Sequence, residues 1–301
     1  MQRRKFIKHT SVTLGAIALF SNRALAKLFN QPGGSLRMIT KDAGIFTSKG
    51  GTILFKWNDK GIIVVDAQFP DTAGELIQLL KTKSSSPFKL LINTHHHADH
   101  TSGNIAFKPL MGTLVAHENA KKHMQQAAEK SDKPSEYFLP TETFTTDALY
   151  RVGKETVQLQ YWGPAHTNGD ALVHFQDAGI VHLGDLVFNR RFPYIDKTAG
   201  ADISNWIKVL DKTVQKFPGR TKYVCGHAAE GYDVLIQSSD ILAFRDYLGN
   251  ALKFVEQEVK DGKIKSEILS ATTIPGSPEW KGQGIERTLQ AAYSEVTAHL
   301  P

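Results

Sequence analysis

Nine residues, Asn93-Thr94-His95-His96-His97-Ala98-Asp99-His100-Thr101, carry the densest chemistry in this 301-residue chain. They follow the apolar run Phe88–Ile92, which the pattern predicts as a buried strand, and precede the turn signal Ser102-Gly103-Asn104. In extended backbone, side chains two apart share a face, so His95 and His97 can converge on one cation while His96 points away. Once the chain turns, Asp99 and His100 are free to face a second cation. Imidazoles and a carboxylate at this density are what zinc favours.

Three more candidate ligands each lie just past an apolar run and beside a glycine, where backbone can approach a metal closely. His166 sits in Gly163-Pro164-Ala165-His166-Thr167-Asn168-Gly169-Asp170, Asp185 in His182-Leu183-Gly184-Asp185, and His227 after Tyr223-Val224-Cys225-Gly226. Taken singly, each is equally well read as an ordinary turn or loop residue.

The elements that must position these residues begin with a β-meander. Leu36–Lys41, Ile45–Ser48, Thr52–Trp57 and Gly61–Asp66 are β-rich runs broken by turn residues. A helix capped by Asp71 is expected through Lys83, then the histidine-bearing strand, a strand at Thr113–Ala116, a helix at Glu118–Lys130, and a polar loop at Lys133–Thr145 able to cover a site. A second series follows: strands Leu149–Val152, Thr156–Tyr161, Ala171–Gln176 and Ile180–Leu183, with helices near Ser204–Lys216, Asp233–Lys260 and Ile285–Ala298. Two sheets, each with helices on its outer face, account for this order. The face Ile207, Leu210, Val214 and Phe217 is expected to pack in a core.

The N-terminus reads as a targeting segment. Arg3-Arg4-Lys5-Phe6-Ile7-Lys8 leads into the apolar run Ser11–Phe20 and ends at Ala24-Leu25-Ala26, so residues 1–26 are predicted to be a cleaved signal peptide. The paired arginines beside Phe6 resemble a twin-arginine signal, which implies transient contact with that export machinery and a periplasmic or secreted product with no lasting membrane anchor. The segment holds five basic residues, Arg3, Arg4, Lys5, Lys8 and Arg23, and no acid, so of 36 basic residues 31 remain against 30 acidic ones. That balance gives no reason to expect a nucleic-acid partner; a small molecule is the expected one. The single cysteine, Cys225, cannot form an internal disulfide and reads as a small buried apolar residue.

Taken together, His95-x-His97-x-Asp99-His100, Gly-Pro-Ala-His166-Thr-x-Gly-Asp, Gly184-Asp185 and Gly226-His227 closely resemble the metallo-β-lactamase superfamily of hydrolases. The resemblance runs from about Leu36 to His227 and implies a four-layer αββα sandwich, over residues 27–301, with the metal site at one edge of the sheets. It implies that His95, His97 and His166 bind a first metal, that Asp99, His100 and His227 bind a second, and that Asp185 bridges them. The cofactors implied are two zinc ions, with manganese or iron(II) able to replace them at so carboxylate-rich a site. An aspartate at 185, where the best-known zinc β-lactamases carry cysteine, is more similar to the glyoxalase II and lactonase branches. The reaction expected is attack by a metal-generated hydroxide, positioned by the catalytic Asp99, on an ester, lactone, thioester or similar carbonyl. β-Lactam hydrolysis is the alternative; a di-iron oxidoreductase and a non-catalytic metal-binding module are further readings. Asp66 and Asp170 are placed to anchor ligating loops or simply to end strands. His96, His174 and His182 read as packing residues or as supports behind the ligands, and Arg190 and Arg191 either as a wall for an anionic or aromatic-bearing substrate or as solvated loop arginines.

Overall fold

Strand alternation sorts the apolar residues into three cores. In β4 (Gly61–Val65), Ile63 and Val65 face one way with Leu54 of β3 (Ile53–Asn58), while Ile62 and Val64 face the other with Ile53 and Phe55. Both faces are therefore buried, which requires a layer on each side.

The computed structural model describes residues 33–217 and 219–298, and the predicted signal peptide lies outside them. The described residues from Gly34 onward form a single compact unit. A seven-stranded sheet runs in chain order from β1 (Ser35–Met38) and β2 (Ala43–Thr47) through β3, β4, β5 (Phe88–Ile92) and β6 (Leu114–His117) to β7 (Glu142–Phe144). It is antiparallel as far as β4 and parallel from β4 to β7. A six-stranded sheet has the order β15-β13-β11-β10-β9-β8, from β8 (Asp147–Val152), β9 (Glu155–Gln160), β10 (Leu172–Phe175), β11 (Ile180–His182), β13 (Lys222–Val224) and β15 (Leu235–Ile236).

The sheets meet face to face through Ile63, Val65, Leu90 and Ile92 against Leu159, Val173, Phe175 and Val224. Helix α1 (Pro70–Lys83) and the one-turn helix α3 (Asn104–Phe107) cover the first sheet with Leu76, Leu80 and Phe107, and α4 (Glu118–Glu129) lies against β6 and β7. On the second sheet Trp206, Leu210, Phe244, Tyr247 and Leu289 come from α5 (Ile203–Lys216), α6 (Ser238–Lys260) and α8 (Ile285–Thr297). The result is the expected αββα sandwich. No described helix is long and apolar enough to cross a membrane.

Several boundaries differ from the sequence reading. The segment expected as one open loop, Lys133–Thr145, contains a 3-10 turn at Pro134–Glu136 and the edge strand β7. Helix α6 starts at Ser238, because Leu235–Ile236 pairs with β13 as an edge strand. In α5 the fully buried stripe is Ile203, Trp206, Val209, Leu210 and Thr213, with Ile207 and Val214 only partly covered. Helix α7 (Lys265–Leu269) is a short addition on the same layer.

Candidate metal centre

The chain leaves β5 at Ile92, runs through a short extended segment, and enters α2 (Ala98–Thr101) with His97 as its N-cap. That change of backbone sends His95 and His97 to one side and lets Asp99 and His100 emerge a turn later. In the first group His97 Nδ1 lies 3.1 Å from His95 Nε2 and 3.0 Å from His166 Nε2. In the second, His227 Nε2 lies 3.1 Å from Asp99 Oδ2 and 3.4 Å from His100 Nε2.

Asp185 stands between them. Its Oδ2 is 3.8 and 3.5 Å from His95 and His166 Nε2, while its Oδ1 is 3.1 and 3.4 Å from His100 and His227 Nε2. All seven residues predicted from sequence thus come together at the edge of the two sheets. Asp185 follows β11 in a 3-10 turn, Gly184–Leu186, and Gly184 has φ +50°, where a β-carbon would strike the Thr94 side chain. His227 opens β14 (His227–Ala228), whose parallel pairing with β12 (Phe188–Asn189) ties it to the loop after Asp185. Gly226 lets this loop approach; a β-carbon there would lie 2.0 Å from Asp185 Oδ1.

Surrounding hydrogen bonds fix which ring nitrogens face the centre. Asp66 accepts the Thr94 N–H and hydroxyl at 2.8 Å each, so the Thr94 oxygen accepts from His95 Nδ1 at 3.0 Å and leaves the His95 Nε2 lone pair pointing inward. Asp66 also accepts from His100 Nδ1 at 2.8 Å, and Asp196 accepts from His97 Nε2 at 3.0 Å. Lone pairs of His95 Nε2 and His97 Nδ1 therefore face one another across 3.1 Å. Asp185 Oδ1 is buried, and with His100 donating from Nδ1 to Asp66 the neutral His100 ring turns no N–H toward it across 3.1 Å. Such a constellation is unfavourable unless a cation lies among the donors, so both groups fit a metal ion. Asp170 accepts from Thr167 N–H and hydroxyl at 2.8 Å each, holding the loop that carries His166.

Burial pushes the imidazolium form of His95 well below its usual range and that of His166 down to about 3, so both stay neutral and able to ligate. His100 and His227 are also buried, but the Asp185 carboxylate holds both above the usual value, helped by Asp66 at His100 and Asp99 at His227. Burial would raise Asp185 and Asp99; the facing histidines outweigh it and keep both carboxylates low.

The histidines expected to pack or to stand behind the ligands do so. His182 is buried between the Thr52 carbonyl and the Gly184 N–H, His174 lies edge-on to Phe217, and His96 meets the His123 ring at 4.5 Å with its Nε2 3.7 Å from Asp196 Oδ2. Cys225 is buried one residue past β13 and its thiol donates to the His227 carbonyl at 3.3 Å. Asp196 was not foreseen. It is fixed by Thr198 and the Ala199 N–H, and against burial its bond to His97 and those contacts hold it at about 2. Its one sequence signal, Asp-Lys-Thr, reads only as a cap.

A cavity of about 410 Å³ opens over the centre, lined by His97, Asp99, Asp185 and His227 on the floor and by Arg191, Tyr194 and Arg287 on the walls. The two neighbouring arginines part company here. Arg190, at φ +54°, turns inward to Asn189, Asp240 and Glu279 and lies over Trp280, whereas Arg191 faces the cavity.

Fold and centre define a metal-dependent hydrolase class, and the chain belongs to the metallo-beta-lactamase superfamily, whose family model matches residues 50–227. A similar protein is the metallo-beta-lactamase type 2 of Bacillus sp. (strain 170), 24% identical over 185 residues, or 61% of this chain and 69% of that one. Among solved structures, a metallo-beta-lactamase from Pontibacter korlensis matches with TM-score 0.61 at 22% identity, over 72% of this chain and 99% of that chain. The stereoselective inverting sec-alkylsulfatase Pisa1 from Pseudomonas sp. matches with TM-score 0.70 at 13% identity, over 89% of this chain and 50% of that chain. At such identities these structural matches speak to the fold alone.

Proposed function

We propose that this enzyme is an exported hydrolase of an ester, lactone or thioester, using two zinc ions, with manganese or iron(II) as substitutes. The observation that carries the reading is Asp185, which offers one carboxylate oxygen to each donor group. His95, His97 and His166 would hold one ion and Asp99, His100 and His227 the other, with Asp185 shared. Ions there would supply a water of pKa lowered from about 15.7 toward ~7 and a Lewis acid for the substrate oxygen.

The chain's own groups do the rest. Asp99 lines the cavity and is kept ionised by His227, so its carboxylate can orient the attacking water, accept its proton and return it to the leaving atom. Asp66 and Asp196 hold His100 and His97 with their lone pairs inward throughout. Aspartate at 185 supports the glyoxalase II-like and lactonase-like branch: its negative charge weakens the electrophilic help that expulsion of an amine nitrogen needs, whereas alkoxides and thiolates leave more readily.

β-Lactamase activity is the second reading, favoured by the Bacillus relative. Side-by-side kcat/KM values on zinc-loaded enzyme separate them. An activated ester, lactone or thioester should be turned over at least about tenfold faster than any penicillin, cephalosporin or carbapenem, a barrier difference of about 1.4 kcal/mol. A β-lactam hydrolysed faster than every such substrate overturns the proposal.

A further inference from the structure

A second cavity, of about 400 Å³, lies on the other side of the segment that carries His97, and both cavities are lined by His97 and Ala98. They differ in unpaired charge. The first has Arg191 and, from helix α8, Arg287, whose guanidinium lies 5.8 Å over the Tyr194 ring; neither arginine has a carboxylate partner among the described residues. Tyr194 in turn packs edge-on to His97 at 5.3 Å, which places this cationic wall beside the first donor group. The second cavity is lined by Met124, Ala127, Tyr137 and Phe138, with His96, Thr101 and two serines among them, and its Lys133 and Glu136 pair with each other at 3.0 Å, so their charges balance.

We propose that the substrate is an amphipathic anion lying across the His97–Ala98 ridge. Its carboxylate, sulfate or phosphate group is held by Arg191 and Arg287, its apolar chain lies against Met124, Tyr137 and Phe138, and its scissile bond sits at the ridge above Asp99 and Asp185. Two unpaired guanidiniums over a cavity favour an anion with planar or tetrahedral oxygens. An apolar chain in the second cavity gains affinity with every methylene it buries. The inference rests on the hydrolase reading for the scissile bond, while the recognition it describes can be measured without turnover.

The test is calorimetric binding of straight-chain carboxylates and the matching alcohols, from four to ten carbons, to zinc-loaded and zinc-stripped protein. Carboxylate affinity should rise about fourfold per added carbon, following the burial of methylenes. Arg191→Ala and Arg287→Ala should each weaken decanoate at least tenfold and leave 1-decanol unchanged. Ala127→Trp, on the exposed side of α4, should flatten the chain-length dependence and spare butanoate. A flat series in the unaltered protein, 1-decanol binding as tightly as decanoate, or arginine variants that bind decanoate normally would each overturn the inference. Protein that binds the series as described yet hydrolyses no ester, lactone or thioester refutes the hydrolase reading alone; protein that hydrolyses them but shows a flat series refutes this inference alone.

Discussion

His97 Nε2 lies 3.0 Å from Asp196 Oδ2, a residue 99 positions further along the chain. The bond fixes the tautomer of His97 and adds negative charge behind its donor nitrogen, which strengthens ligation. Asp196→Asn keeps the size but loses the charge. Metal affinity, measured by chelator competition, should fall about 10- to 100-fold. Unchanged affinity would reduce Asp196 to a loop cap for Thr198 and Ala199.

Neighbouring histidines should behave differently. Zinc-reconstituted protein is expected to hold about two ions per chain, in line with two donor groups and a bridge. His97→Ala should mostly empty the first group, whereas His96→Ala, whose ring meets His123, should leave metal content near normal. Elemental analysis after gel filtration decides it; equal losses from both variants would contradict the assignment of His97 alone to the centre. Gly226→Ala should cost metal as well, because the new β-carbon displaces Asp185.

Proton and metal compete for the same nitrogens, and the sign differs between the two groups. His100 and His227 have folded-state values raised above about 6.5. In metal-free protein their contribution to stability is fully present below about pH 6.5 and is lost as pH rises through the raised values. His95 and His166 are depressed, so they destabilise the metal-free fold as pH falls below about 6.5. Metal replaces the protons on His100 and His227, so the gain in Tm on adding zinc should be larger at pH 8.5 than at pH 6.5. On acidification the group of His100 and His227 should release its ion first. A Tm gain independent of pH, or first loss from the group of His95 and His166, would refute this ordering.

The proposed export rests on reading residues 1–26 as a twin-arginine leader. Changing Arg3 and Arg4 together to lysine preserves charge but removes the paired guanidiniums that a twin-arginine receptor reads. The protein should then stay in the cytoplasm, as followed by cell fractionation and immunoblotting. Normal periplasmic yield from the double variant would assign the segment to the general secretory route.

What the sequence determined by itself was local. His95, His97, Asp99 and His100 lie within six residues at the end of a buried strand, so spacing alone puts them on two neighbouring faces of one turn. The β-meander and the two sheet series were legible for the same reason, since period-two burial is a property of consecutive residues. His166, Asp185 and His227 could be named as strand-end residues beside glycines, yet their convergence depends on packing the second sheet against the first through residues such as Val173 and Val224. Only the tertiary structure decided that Asp185 gives one oxygen to each group, that Asp196 stands behind His97, and that of two adjacent arginines Arg190 turns inward while Arg191 faces the cavity. Edge strands β7 and β15 were hidden for a related reason: a two- or three-residue strand is too short to show a period and is created by the partner it pairs with. Spacing along a chain fixes which donors can be near neighbours, whereas the meeting of distant ones is fixed by how the layers bury their apolar faces.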